Sequence, residues 1–239
     1  MRKTLVAFSI IGLIVFGSAT TYIASGEENN FNLKIGQSVQ ENLFSDNNAR
    51  ITSSDEGSVF ELDEFNQDMH HYLVDVVSYR NKEDQSKEAI NDMAFNMQLE
   101  AIALRDKAKK LDVLPSDEEI DDLVKGKRAM MEGGVNADGN EVNNHEEAYE
   151  ELKEVIEGMG LTEDQYWNEY VPEAIMITYT SEKVKNELVN TELNKEQSVN
   201  RNIEELENRH EEWNSTKDEI VQNYINENKQ EVDEARENI

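Results

Sequence analysis

Residues 87–124 read KEAINDMAFNMQLEAIALRDKAKKLDVLPSDEEIDDLV, and this stretch decides the fold. Ile90, Met93, Met97, Ala101, Leu104, Ala108 and Leu111 recur at steps of three and four, which places them on one face of a helix. Ala, Leu, Glu and Lys fill most of the remaining positions and are strong helix formers. The spacing predicts a helix from Lys87 to Leu111. Pro115 disfavours the helical conformation at Leu114, so the chain breaks there. Ser116 then stands as an N-cap, with Glu119 three residues on to complete a capping box. Asp117 and Glu118 suit the positive end of the new helix, which is predicted to run to about Met131.

The same period extends in both directions. Leu62, Phe65, Met69, Tyr72, Leu73, Val76 and Val77 form one helical face over residues 62–79. Gly133-Gly134 and Asp138-Gly139 mark a polar loop over 133–144. A helix from about Glu146 to Met159 follows, closed by Gly160 as a left-handed cap. Thr162 and Gln165 form a second capping box. They open a helix that carries Tyr166, Trp167, Tyr170, Val171, Ile175, Met176, Tyr179, Val184 and Leu188. Pro172 lies close enough to its start to kink it rather than end it.

Beyond Leu193, the residues Val199, Ile203, Leu206, His210, Trp213, Lys217, Ile220 and Tyr224 alternate steps of four and three. That is a seam, imperfect at His210 and Lys217. Ser215 and Thr216, each three residues before an acid, point to a helix break near Asn214. Such a helix cannot bury its stripe alone, so it folds back on the body or pairs with a second copy of the chain. The expected fold class is all-α.

Composition limits what this fold can do. The chain has 239 residues, 52 of them acidic and 23 basic, for a net charge of -29. Nucleic acid is excluded as a partner on charge, because phosphate recognition needs a basic footprint. The absence of cysteine excludes disulfides, thiolate catalysis, iron–sulfur clusters and cysteine zinc sites. A hydrophobic content of 37% allows only a modest core.

The N-terminus carries Arg2 and Lys3 before the apolar run Leu5–Phe16, then the small residues Gly17, Ser18, Ala19, Ala24, Ser25 and Gly26. This pattern is an export signal, cut near Ala24–Gly26 or kept as a membrane anchor. Either way Glu27 onward lies outside the cytoplasm. The expected organisation is a signal or anchor over 1–26 and a polar spacer over 27–58 with little fixed structure, whose scattered apolar residues Phe31, Leu33, Ile35, Leu43 and Phe44 are candidates to dock on the body. A helical body covers 59–190, and a charged C-terminal helix or helix pair covers 195–238. The membrane is touched only through the N-terminal segment.

Catalytic and metal-binding patterns are missing. His70 and His71 point to different helix faces and cannot easily share one ion; His145 and His210 stand apart in sequence. The loop NADGNEVNNHEE fails as a calcium loop. With Gly139 in the sixth position, Gly134 and His145 fall where acids should stand. There is no nucleophile elbow and no phosphate loop. No cofactor, metal site or enzymatic activity is expected. The aromatic and methionine stripe is the candidate binding surface: Tyr166, Trp167, Tyr170, Met176 and Tyr179, with Met93 and Met97. Methionine adapts to varied apolar partners, although the same spacing also describes an ordinary core.

In order and spacing, four elements resemble the N-terminal chaperone domain of the SurA and PrsA family of extracytoplasmic folding factors. They are the opening VFELDEFNQDM, the helix–break–helix LEAIALRDKAKKLDVLPSDEEIDDLV, a variable loop, and GLTEDQYWNEYVPEAIMITYTSEKV. The resemblance covers about half the chain. It implies a non-catalytic chaperone that holds apolar segments of newly exported polypeptides in a groove. It also implies a C-terminal helix that packs on the N-terminal domain, a role the seam from Val199 to Tyr224 fits. The family's parvulin prolyl-isomerase domain is not found in this sequence, so isomerase activity is not expected. A different reading of the same composition is an acidic surface adaptor or assembly factor for one basic partner.

Overall fold

The computed structural model of the chain describes residues 31–43, 63–80, 85–136, 139–142, 145–189 and 203–238. Its elements are α1 (Phe31–Leu43), α2 (Gln67–Arg80), α3 (Lys87–Leu111), α4 (Asp117–Gly133), α5 (His145–Gly158) and the short α6 (Glu163–Gln165). A π-helical turn (Tyr166–Tyr170) then leads into α7 (Val171–Leu188), α8 (Ile203–Glu227) and α9 (Lys229–Asn238). The fold is all-α, as the periodicity predicts. Among the described residues the one extended pairing is an isolated bridge, Val135 to Glu141. The signal or anchor segment lies outside the described residues. Among those described, no helix is long and apolar enough to cross a membrane.

Local chemistry sets the helix ends. The Asn66 side-chain oxygen accepts from the N–H groups of Asp68 and Met69 and so starts α2. Ser86 caps α3 by accepting from the Ala89 N–H. Asp112 ends α3 in the left-handed conformation, which a short polar side chain tolerates. The capping boxes at Ser116–Glu119 and Thr162–Gln165 both close with reciprocal hydrogen bonds. Gly160 takes the left-handed conformation foreseen for it.

Packing then closes the helices on themselves. In cyclic order, α1 packs on α2, α2 on α3, α3 on α7, α7 on α4, α4 on α5, and α5 on α1. The core draws on each of these, from Ile35 and Val39 through Met69, Leu99, Ile120 and Val155 to Ile175. Helix α8 docks outside this cycle, against α3. The C-terminal seam thus folds back on the body, burying Trp213, Ile220, Tyr224 and Val232.

Two expectations need correction. First, residues 31–43 are not spacer: they form α1, whose Ile35 and Val39 are wholly buried. Ser38 and Asn42 donate to Asp75 of α2 at 2.8 and 3.0 Å, which ties α1 to the body. Gly36 and Gly158 let α1 cross α5 at backbone contact. A Cβ on Gly36 would lie 2.3 Å from the Val155 carbonyl oxygen. Second, α8 runs unbroken through Asn214. The Thr216 hydroxyl donates back to the Glu212 carbonyl, four residues earlier, instead of capping a new helix. The break falls at Asn228.

The glycine crossing generates a paired prediction. Gly36→Ala must push two backbones apart and is expected to cost roughly 2–3 kcal/mol. Gly126→Ala, with open space around the new methyl group, should stabilise by about 0.5–1 kcal/mol. Urea unfolding of both variants checks the sign and size of each effect.

Candidate binding surface and the aromatic turn

Pro172 shapes the segment that the sequence singles out. It stands in the first turn of α7 and lacks the N–H that a regular helix would use there. Immediately before it the chain widens into the π-helical turn Tyr166–Tyr170. Such turns let a helix absorb a missing bond without ending. The kink expected at Pro172 therefore takes the form of a wide turn.

That turn is interior. Tyr166, Trp167 and Tyr170 are at most 1% exposed and, with Tyr72, are the largest fully enclosed side chains. Tyr166 stacks on Tyr170 with centroids 5.5 Å apart and meets Trp167 edge-on at 5.2 Å. Tyr170 and Tyr72 of α2 share a hydrogen bond, and burial drives the phenol of Tyr170 far above its ordinary pKa. As candidate client contacts these three are therefore corrected: the cycle of helices closes over them. The Tyr166 hydroxyl and the Trp167 indole N–H have no hydrogen-bond partner among the described residues. Their burial is bought by apolar and ring–ring packing.

The remaining candidates face outward to different degrees. Met93 on α3 is 42% exposed, whereas Met97, Met176 and Tyr179 are partly covered. Met176, Ile177, Thr178 and Tyr179 are consecutive and all partly exposed, so α7, lying between α3 and α4, is incompletely covered along this turn. Charge borders the open strip. Lys183 pairs with Glu119 of α4 at 2.8 Å and reaches over the Tyr179 ring. Hydrogen bonds from Lys183 and then from Ser116 pull the Glu119 carboxyl down to about 2. Lys127 of α4 has its pKa lowered by burial, with Glu182 of α7 opposing the shift.

The histidines divide as their spacing indicates. His70 is buried and His71 exposed. His70 is a core residue, since it falls on the apolar face of α2 beside Met69 and Leu73. His145 begins α5 and its ring lies against Gly134. Among the described residues no group of three or more His, Asp or Glu is placed to hold a metal ion. Sequence reading missed the Ser38–Asn42–Asp75 contact; an apolar pair, Ile35 and Val39, at helical spacing was the available signal.

No family model matches the chain, and no solved structure matches it. Among curated proteins it is similar to the glutamate-rich protein GrpA of Alkalihalophilus pseudofirmus, with 26% identity over 154 residues. That stretch is 64% of this chain and 83% of GrpA.

The burial assignments can be checked directly. Trp167→Ala should destabilise the protein by about 3–5 kcal/mol, the cost of a large buried ring. Met93→Ala should stay within about 0.5 kcal/mol of the parent. A Trp167→Ala variant as stable as the parent in urea would place the ring at the surface instead.

Proposed function

We propose that this chain is an exported, non-catalytic binding protein whose acidic helical surface engages a basic protein partner outside the cytoplasm. The observation that carries this reading is how the charges are used. Among the described residues, several bases are engaged within the molecule: Arg105 and Lys109 on Asp63, Lys110 on Glu227, Lys217 on Glu100, Lys183 on Glu119, and Arg236 on Asp92. With 52 acids to 23 bases, the carboxylates outnumber the charges that could neutralise them, and the chain carries a net charge of -29. A field of that sign attracts and orients a positively charged partner. The similarity to a protein described as glutamate-rich agrees with acidity as the working feature. The apolar run Leu5–Phe16 supports export.

A second reading is favoured by a specific feature. The open strip at Met176, Ile177 and Tyr179 would suit a SurA-like holdase that grips apolar segments of newly exported chains. The docking of α8 on the body agrees with the C-terminal helix that the resemblance implies. The enclosure of Tyr166, Trp167 and Tyr170 weakens this reading, because it removes the largest rings from the surface.

Crosslinked pull-downs from cell envelopes separate the two. The adaptor reading expects one basic partner, released at about 1 M salt, where screening shortens to about 3 Å. Many unfolded polypeptides, retained in salt and lost on Tyr179→Ser, would instead establish the holdase.

A further inference from the structure

Helices α2, α3 and α9 meet at one joint. The Asn66 carbonyl accepts from the His70 N–H at 3.0 Å and from Gln98 Nε2 of α3 at 3.1 Å. One residue earlier, Phe65 stacks on Phe95 of α3, with centroids 4.8 Å apart and planes 7° from parallel. Arg236 of α9 lies over the same Phe95 ring, 4.4 Å from its centroid. It also reaches Asn96 and Asp92, each at 3.5 Å. Gln67 Nε2 donates to the Asn238 carbonyl at 3.4 Å, near the end of α9. In the same first turn of α2 stands His70, 3% exposed, its backbone N–H bonded to the Asn66 carbonyl. One ring nitrogen bonds the Asn91 side chain, while Nδ1 has no partner among the described residues.

We propose that His70 is a proton-operated latch: mild acidification loosens the first turn of α2 from α3 and releases α9 with its Arg236. A protonated ring carries a second N–H that needs an acceptor, and a buried charge without one is costly. The start of α2 adds its positive helix end. The charged groups of the surrounding elements do not offset this. Asp68 and His71 on α2, Lys34 and Glu41 on α1, Lys87, Glu88 and Asp92 on α3, and Arg236 on α9 are all exposed. The Asp92 carboxylate is taken by Arg236.

Burial, and then the charge of His71, holds the His70 imidazole below its ordinary pKa, against the hydrogen bond with Asn91. A base lowered by folding binds more protons unfolded than folded. Its contribution is therefore complete above the ordinary imidazole range and is lost as pH falls through that range. Asp63 is held down by Lys109 and Arg105 against its own desolvation, and Glu227 by Lys110.

Hydrogen exchange of the whole protein, corrected for the intrinsic pH dependence of exchange, tests the latch. Between about pH 7.5 and about pH 5.5, protection over 229–238 and 63–72 should fall severalfold, up to the roughly tenfold ceiling that one imidazole allows, relative to α5. His70→Gln should remove that dependence and His71→Gln should keep it. Unchanged protection of α9 across this range overturns the proposal, as does a His70→Gln protein that keeps the same pH dependence. Should His70→Gln not fold, the imidazole resonances of the native protein decide. A His70 ring that titrates at or above the ordinary imidazole value while α9 stays protected is equally fatal to the latch.

Discussion

The structure depends on enclosing one aromatic turn. A chain this polar has few large side chains with which to make a core, and it places three of them, Tyr166, Trp167 and Tyr170, in five consecutive residues. Apolar burial contributes in proportion to area removed from water, so this turn does more for the fold than any other segment of its length. The turn belongs to the same core cluster as the six helices of the cycle, and the closure of that cycle has a geometric condition. Helix α1 can meet α5 only because Gly36 and Gly158 carry no side chains where the backbones touch. The glycines and the aromatic turn are therefore one device: the first permits the cycle to close, and the second makes closure favourable.

What was legible in the sequence was what is decided locally. The limits of α3, the Ser116 and Thr162 capping boxes and the left-handed Gly160 follow from side chains within a few residues of each other, and the structure matches them. Helix α1 left only a faint local signal, the pair Ile35 and Val39, because Gly36 and Ser38 complete its buried face. Read locally, glycine and serine speak for a loop, and only the backbone of α5 and the carboxylate of Asp75 give them reasons to be helical. The burial of Trp167 was undecidable for a related reason. A stripe facing a core and a stripe facing a groove have the same period, and what separates them is whether distant helices meet above it. The misplaced break in α8 came from Thr216, whose hydroxyl can serve either as a cap or as a donor to the carbonyl four residues back. The sequence does not record which.

Charge has a structural use beyond solubility. The ion pairs Lys217–Glu100, Lys110–Glu227 and Arg236–Asp92 all join the C-terminal helices to α3. Lys110–Glu227 and Arg236–Asp92 are exposed on both sides, and pairs of that kind contribute little individually, whereas Lys217–Glu100 is partly covered. The apolar share of the docking is also thin, resting chiefly on Trp213, Ile220, Tyr224 and Val232. The α8–α9 segment is thus held by a short seam and screened charges, whereas the cycle of helices is held by its interior. Segments with few buried contacts open at lower free energy than the core they cover, which makes α8–α9 the part of the fold most readily detached.

That difference bears on the proposed binding mode. A basic partner attracted to the acidic surface meets, on α3 and α8, the same carboxylates that hold Lys217, Lys110 and Arg236. Glu100, Glu227 and Asp92 cannot serve an internal base and an external one equally well. Engagement of that face and docking of the C-terminal helices then share one set of charges. By linkage, whatever weakens one side of such a competition strengthens the other by the same free energy. Burying the aromatic turn elsewhere, in a core that no ion pair supports, is what lets the surface carry such an exchange without endangering the fold.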